Sequence, residues 1–221
     1  MLRSDGKAEL LSASDPGDQR TTMPPLSALA PARVSIGRRP RILVVKLATL
    51  GDLLLATPMI RALRGRYPDA QLDVLTTERS APLLADSPLV NRVIALDKYR
   101  FDSLGSALSH VDQLAPIARQ LLALRRRRYD ALVLAHHLTL PAGRLKYRLL
   151  LALLRPRLSI GLDNGHGDFL DLRVPDGGFG RLHEAEYGMR LAAALDAPLA
   201  PEAHALDARD LGWDDLAPIP G

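Results

Sequence analysis

A chain of 221 residues with a net charge of +4 has room for one large domain, or for one domain with extensions. It is 47% hydrophobic but only 4% aromatic, so its core must be aliphatic, and the apolar material suits a globular domain of roughly 150 residues. The absence of cysteine excludes disulfides, a thiolate metal site and a cysteine nucleophile, and it fits a reducing compartment, with the cytoplasm as the default expectation.

Residues 1–40 are rich in Ser, Pro, Asp, Gly and Thr and keep no period, which predicts a disordered tail. In its first 25 residues the brief apolar pair Leu10-Leu11 stands among acids and is not a secretory h-region. Ile42 to Val45 is a continuous apolar run, the pattern of a strand covered on both faces in a parallel sheet. A small turn with Lys46, Thr49, Gly51 and Asp52 follows, and then Leu53, Leu54, Met59, Ile60 and Leu63 recur at helical spacing up to Arg66. Thr57-Pro58 reads as an internal cap with a kink. Tyr67-Pro68-Asp69 ends the helix.

Gln71 to Thr76 predicts a second strand, Glu78 to Asp86 a short helix, and Asn91 to Leu96 a third strand. Ser106 to Arg128 keeps a helical period, with Pro116 as a kink or break. Tyr129 to Ala135 is a fourth buried strand that runs into His136-His137, and Leu140 to Leu154 is a basic amphipathic helix stopped by Arg155-Pro156. Leu158 to Gly161 reads as a short fifth strand before the loop DNGHGDF, and His183 to Leu195 as a helix with Tyr187, Leu191 and Leu195 on one stripe. Strands alternating with helices predict right-handed βαβ units, hence an α/β fold with a Rossmann-like parallel sheet and helices on both faces. The expected domain spans 41–198, and the proline-rich 199–221 reads as a linker or the start of a second domain.

Open α/β sheets bind ligands beyond the carboxyl ends of their strands, so the turn from Lys46 to Asp52 is the first place to look for chemistry. A carboxylate there can serve as a general base or as a helix cap, and the residue type alone permits both. Gly51 allows close approach of a ligand or a positive φ. Lys46 ends a buried strand, where its charge either meets a ligand's acidic groups or snorkels to the surface. Consecutive histidines in extended chain face opposite ways, so at most one of His136 and His137 faces the cleft, and the pair is a poor joint metal site. DNGHGD lacks the alternating acids and terminal Glu of a calcium loop. No G-x-G-x-x-G follows a strand and no P-loop motif occurs, which disfavours dinucleotide enzymes and P-loop ATPases.

The basic residues cluster. Between Arg119 and Arg157 the only acid is Asp130, so this half should attract phosphates, acidic sugars or an anionic membrane surface, unless its charges are merely solvated helix faces. Lys98, Arg100, Arg144 and Lys146 are candidates to engage an anionic acceptor, and no apolar run reaches the roughly 20 residues needed to span a bilayer.

The string KLATLGDLLLATPMIRALR, followed by YPDAQLDVLT, resembles the amino-terminal signature of glycosyltransferase family 9, the lipopolysaccharide heptosyltransferases. The resemblance runs from Arg41 to about Pro198 and is sharpest at Gly51-Asp52. It implies the amino-terminal, acceptor-side half of a GT-B type enzyme that transfers a heptose-type sugar, with inversion and without an obligatory metal or cofactor, from an ADP-sugar to a lipopolysaccharide core. Asp52 would be the catalytic base, with Lys46, Thr49, Gly51, Lys98, Arg100 and His136 binding substrate. The nucleotide sugar would sit in a second domain that does not follow here, so this chain alone is expected to turn over poorly or not at all. The expected setting is cytoplasmic, peripheral at the inner face of the inner membrane, with no nucleic-acid partner. The chain departs from the family at Leu134 and His137, where members often carry an acid and a glycine. The alternatives are a non-catalytic domain of the same descent that binds glycan or membrane, and an unrelated Rossmann-like domain that binds a small nucleotide through its amino-terminal loop.

Overall fold

The computed structural model describes residues 36–97, 111–197 and 205–212. The expected tail therefore lies outside the described residues up to position 35, as do Lys98 and Arg100. Six strands form one sheet: β1 (Arg41–Lys46), β2 (Gln71–Thr77), β3 (Arg92–Leu96), β4 (Ala131–Leu134), β5 (Leu158–Asp163) and β6 (Leu172–Pro175). Their order is β3-β2-β1-β4-β5-β6 and every pairing is parallel, which is the doubly wound Rossmann-like arrangement.

The helices are α1 (Leu50–Leu54), α2 (Thr57–Arg66), α3 (Val111–Arg126), α4 (Pro141–Leu154) and α5 (Glu184–Ala194). The period-two pleat of β1 explains how they divide between the two faces. Ile42 and Val44 point into a core shared with Leu53, Met59, Ile60 and Leu63 of α1 and α2 and with Tyr187 and Leu191 of α5. Leu43 and Val45 point the other way, into a core closed by Ile117, Leu121 and Leu124 of α3 and by Tyr147, Leu150, Leu151 and Leu154 of α4. Burying one such leucine contributes about 1.5–3 kcal/mol, so the two cores rest mainly on aliphatic side chains, with Tyr67, Tyr129, Tyr147 and Tyr187 buried among them. Gly188 lets α5 approach α2 closely, since a Cβ there would lie 3.2 Å from the Met59 Cβ.

Several expectations need correction. Residues 53–66 do not begin the first helix: α1 starts at Leu50 and stops at Leu54, and α2 restarts at Thr57, whose Oγ1 donates to the Leu54 carbonyl at 2.8 Å. The break falls beside Pro58, whose ring removes a donor and favours a first-turn position. Glu78–Asp86 holds only a 3-10 turn at Ala81–Leu84, too short an apolar segment for an α-helix. Pro116 lies inside α3 on its exposed side and does not end it. The fifth strand continues to Asp163, and β6 was not anticipated. Residues 205–212 pack back on the domain: Arg61 donates to the Ala205 carbonyl at 2.6 Å and pairs with Asp210 at 3.1 Å, and Ser87 Oγ donates to the Asp210 carbonyl.

Candidate functional site

The sheet reverses its strand order between β1 and β4, and the crevice at that switch point is where open α/β sheets place ligands. The segment leaving β1 is held from both sides. From β2, Thr76 Oγ1 donates to the Lys46 carbonyl at 2.8 Å, and from the turn after β2, Ser80 Oγ donates to the Ala48 carbonyl at 3.0 Å. From the end of β4, the Leu47 N–H donates to His136 Nε2 at 2.7 Å, while the His136 ring stacks on Tyr147 with centroids 4.9 Å apart. His136 therefore braces the turn, and its Nε2 is occupied by protein. The Lys46 and Ala48 carbonyls and the Leu47 N–H are thus held by protein groups on both flanks of the turn.

Thr49 is the N-cap of α1 and Asp52 its third residue, which corrects the expectation that Asp52 itself caps a helix starting at Leu53. The two form a capping box: the Asp52 N–H reaches Thr49 Oγ1, and Asp52 Oδ2 accepts from the Thr49 N–H at 3.1 Å and from Thr49 Oγ1 at 2.6 Å. Both bonds fall on Oδ2, and Oδ1 takes no hydrogen bond among the described residues. Gly51 lies between them in the first turn with open space where a Cβ would stand. Asp52 lines a small cleft together with Lys46, Leu55, Ala135, Leu162 and Glu184.

Lys46 is 8% exposed, and its Nζ lies 3.7 Å from Glu184 Oε2 at the start of α5. Burial pulls its pKa below the ordinary lysine range, and the negative charges of Glu184 and Asp52 oppose that pull without cancelling it. The snorkelling alternative for Lys46 is thus set aside by its burial, since a surface-seeking ammonium would be exposed.

His137 turns the opposite way from His136, into an acid-lined pocket. Its Nδ1 lies 2.9 Å from both Asp176 oxygens and its Nε2 lies 2.9 Å from Glu184 Oε1, with Tyr187 edge-on and the Phe179 ring tilted against it. Burial disfavours the imidazolium, but the hydrogen bonds to Asp176 and Glu184 outweigh it and raise the His137 pKa. Burial likewise works against the Asp176 carboxylate, which the bonds from His137 and the Gly178 N–H hold below its ordinary range. Gly178, at a φ of 87°, makes the turn that returns its N–H to Asp176, and Tyr187 Oη donates to its carbonyl at 2.8 Å.

The structure thus brings Lys46, Thr49, Gly51 and Asp52 together and ties His136 to the same turn. His137, Asp176 and Glu184 were missed as a group; the opposite facing of paired histidines was the available signal. No group of three or more His, Cys, Asp or Glu side chains that could hold a metal ion occurs among the described residues. No helix among them is long and apolar enough to cross a membrane.

No protein-family model matches the chain. Over 116 residues, 52% of this chain, it is 29% identical to lipopolysaccharide heptosyltransferase 3 of Escherichia coli, but that stretch is only 30% of the relative's length. Over 90 residues it is 30% identical to lipopolysaccharide heptosyltransferase 2 of Salmonella typhimurium, covering 41% of this chain and 23% of that one. Among solved structures, the E. coli heptosyltransferase WaaC with ADP-2-deoxy-2-fluoro heptose superposes with a TM-score of 0.59 at 21% identity, over 73% of this chain and 50% of that chain. The glycosyl transferase family 9 protein from Veillonella parvula superposes with a TM-score of 0.54 at 18% identity, over 72% and 41% of the two chains. The fold is therefore that of half of a GT-B heptosyltransferase, and over about half its length the chain is a distant homologue of the family 9 lipopolysaccharide heptosyltransferases.

Proposed function

We propose that residues 41–198 form the acceptor-side half of a glycosyltransferase that moves a heptose-type sugar from an ADP-sugar to a lipopolysaccharide core. The observation that carries this reading is the position of Asp52. It lines the cleft at the switch point of the sheet beside a buried cation, and its Oδ1 is available to a hydroxyl. In this reading the acceptor hydroxyl binds Oδ1 and passes its proton to the carboxylate as its oxygen attacks the sugar's anomeric carbon, while the bond from that carbon to the diphosphate breaks and ADP leaves; the base contributes typically ~10²–10⁴-fold. Lys46 meets an anionic group of the acceptor, and the open space at Gly51 lets the acceptor reach the carboxylate. Thr49 orients the base through the capping box, and His136 holds the loop. The ADP-sugar is assigned to a separate donor-binding domain, and no metal or other cofactor enters the scheme.

An anionic membrane surface at the inner face of the inner membrane is the proposed second partner. On α4, Leu145 and Leu149 are each 58% exposed, one turn apart, beside the exposed Arg148. Leu122 of the neighbouring α3 is also exposed, next to Arg125 and Arg126, and Arg125 Nη1 reaches the Leu153 carbonyl at 3.4 Å. Exposed leucines among arginines suit a lipid surface better than water.

The test is a titration of the labelled chain with delipidated core oligosaccharide and, separately, with ADP-heptose, read by NMR. Core oligosaccharide should shift Lys46, Gly51 and Asp52, and ADP-heptose should not. Shifts at those residues from ADP-heptose alone would overturn the acceptor-side assignment in favour of a nucleotide-binding domain.

A further inference from the structure

Both ring nitrogens of His137 face carboxylate oxygens at 2.9 Å, and an ionised carboxylate only accepts. Both nitrogens must therefore carry hydrogen, so the arrangement belongs to the imidazolium. A neutral ring would turn a lone pair toward one of the two carboxylates, and that carboxylate would have to leave. The two are not equally free to do so. The Asp176 side chain is fully buried and accepts a second bond from the Gly178 N–H at 2.8 Å. The Glu184 side chain is about one quarter exposed, and its other oxygen already lies 3.7 Å from Lys46 Nζ, beyond hydrogen-bond length.

We infer that His137 is a positioning residue that sets, through Glu184, how firmly Lys46 is held in the cleft. With His137 charged, Glu184 is divided between the imidazolium and the ammonium, and Lys46 remains loosely paired and open to an anionic ligand beside Asp52. When His137 loses its proton it keeps Nδ1–H toward Asp176, the Nε2 lone pair turns Glu184 away, and Glu184 closes on Lys46. The proton goes to solvent and no covalent bond changes. The charged and titratable groups facing the pair are Asp176 after β6, Glu184 and Tyr187 of α5, and Asp52 of α1. The net charge of this cluster falls by one in the step, so the cleft becomes less attractive to anions as pH rises. That Lys46 serves the acceptor rests on the proposed function; the coupling between His137 and Lys46 does not.

The experiment is a pH titration of the isotopically labelled chain without substrate, following the His137 ring nitrogens, the Glu184 carboxyl carbon and the Lys46 Cε. Glu184 and Lys46 should both show a step at the His137 midpoint, above the ordinary value of 6.5. Removing the cation with Lys46→Met should raise the His137 midpoint, because coupling between two sites is reciprocal. His137→Gln should abolish the step in Lys46. If the Glu184 and Lys46 signals of the unaltered chain show no step at the His137 midpoint, the inference is wrong, whatever the variants do. Because no substrate is present, that failure leaves the transferase reading standing, and failure of core binding leaves the coupling standing.

Discussion

Asp52 Oδ2 accepts from Thr49 Oγ1 at 2.6 Å, so the residue proposed as the base is also half of a capping box. The two roles make separable demands on the side chain. Capping needs an acceptor oxygen, which asparagine supplies; proton abstraction needs a carboxylate. Asp52→Asn should melt close to the unaltered protein, whereas Asp52→Ala, which takes away the acceptor of the Thr49 N–H, should lose about 0.5–1.5 kcal/mol. In a protein that joins this half to a donor-binding domain, both should lower transfer by ~10²–10⁴-fold. Thermal melts set beside initial rates check this, and an Asn variant of full activity would leave Asp52 as a cap alone.

Thr49 gives the complementary case. Thr49→Ala removes the hydroxyl that donates to Asp52 and the oxygen that accepts from the Asp52 N–H. It should destabilise α1 by about 0.5–2 kcal/mol. Transfer should be reduced less than by Asp52→Asn, because the carboxylate survives. Equal losses in the two variants would mean that orientation, not basicity, is what Asp52 supplies.

These roles were unequally legible in the sequence. Ile42 to Val45 announced a two-sided strand, and the alternation of its residues between two cores follows from that run. The switch-point location of Lys46 and Asp52 followed from parallel topology. Strand β6 was not legible, because in Leu172-Arg173-Val174-Pro175 only Val174 is buried and the segment offers no apolar run. The partners of His137 were hidden by distance: Asp176 and Glu184 lie 39 and 47 residues away, and they meet it only because β5 and β6 add beside β4 and the chain then enters α5 at the same end of the sheet. The restart at Thr57 was readable from Thr-Pro, but the cap at Thr49 required the actual first turn.

Stability should depend on pH through the His137 pair. The folded pKa of His137 lies above its ordinary 6.5, so its contribution is fully present below that value and is lost as pH rises through the folded pKa. Asp176 is held below its ordinary 3.8, so its contribution is present above that value and lost as pH falls through the folded pKa. The pair is therefore most stabilising between about pH 4 and 6.5, a window bounded by the two ordinary values. Lys46 has the opposite sign from His137: its folded pKa is lowered, so its burial penalty is relieved as pH rises through the folded value toward 10.5. Denaturant midpoints should fall as pH rises above about 6.5, and His137→Gln should flatten that limb.

On the sheet face away from the cleft-side helices α1, α2 and α5, Asp73 is fully buried, with Oδ2 accepting from Tyr129 Oη at 2.8 Å and from Arg127 Nη1 at 3.2 Å. Its other oxygen has no hydrogen-bond partner among the described residues. Tyr129→Phe keeps the ring in the core but takes away one of the two donors, so it should cost about 1–3 kcal/mol. Arg127→Met removes the compensating charge from a buried carboxylate and should cost more, about 3–5 kcal/mol. Urea unfolding of the two variants checks the order; a larger loss for Phe would mean that the phenol, not the guanidinium, is the main support of the buried Asp73 side chain.

The exposed leucines of α4 give the membrane proposal a test that spares the fold. Leu145 and Leu149 face solvent, so exchanging both for glutamate should change stability by about 0.5 kcal/mol or less per site. The exchange removes the apolar contact and places acids among Arg148, Lys146 and Arg125, opposing attraction to anionic lipid. In vesicle flotation at low salt, the unaltered chain should float with vesicles rich in anionic lipid, much less with neutral ones, and less again at high salt because screening shortens the reach of the arginines. The Leu145→Glu, Leu149→Glu variant should remain at the bottom under all three conditions. Equal recovery of the unaltered chain with neutral and anionic vesicles would sink the membrane partner, and flotation of the double variant would move the contact away from α4.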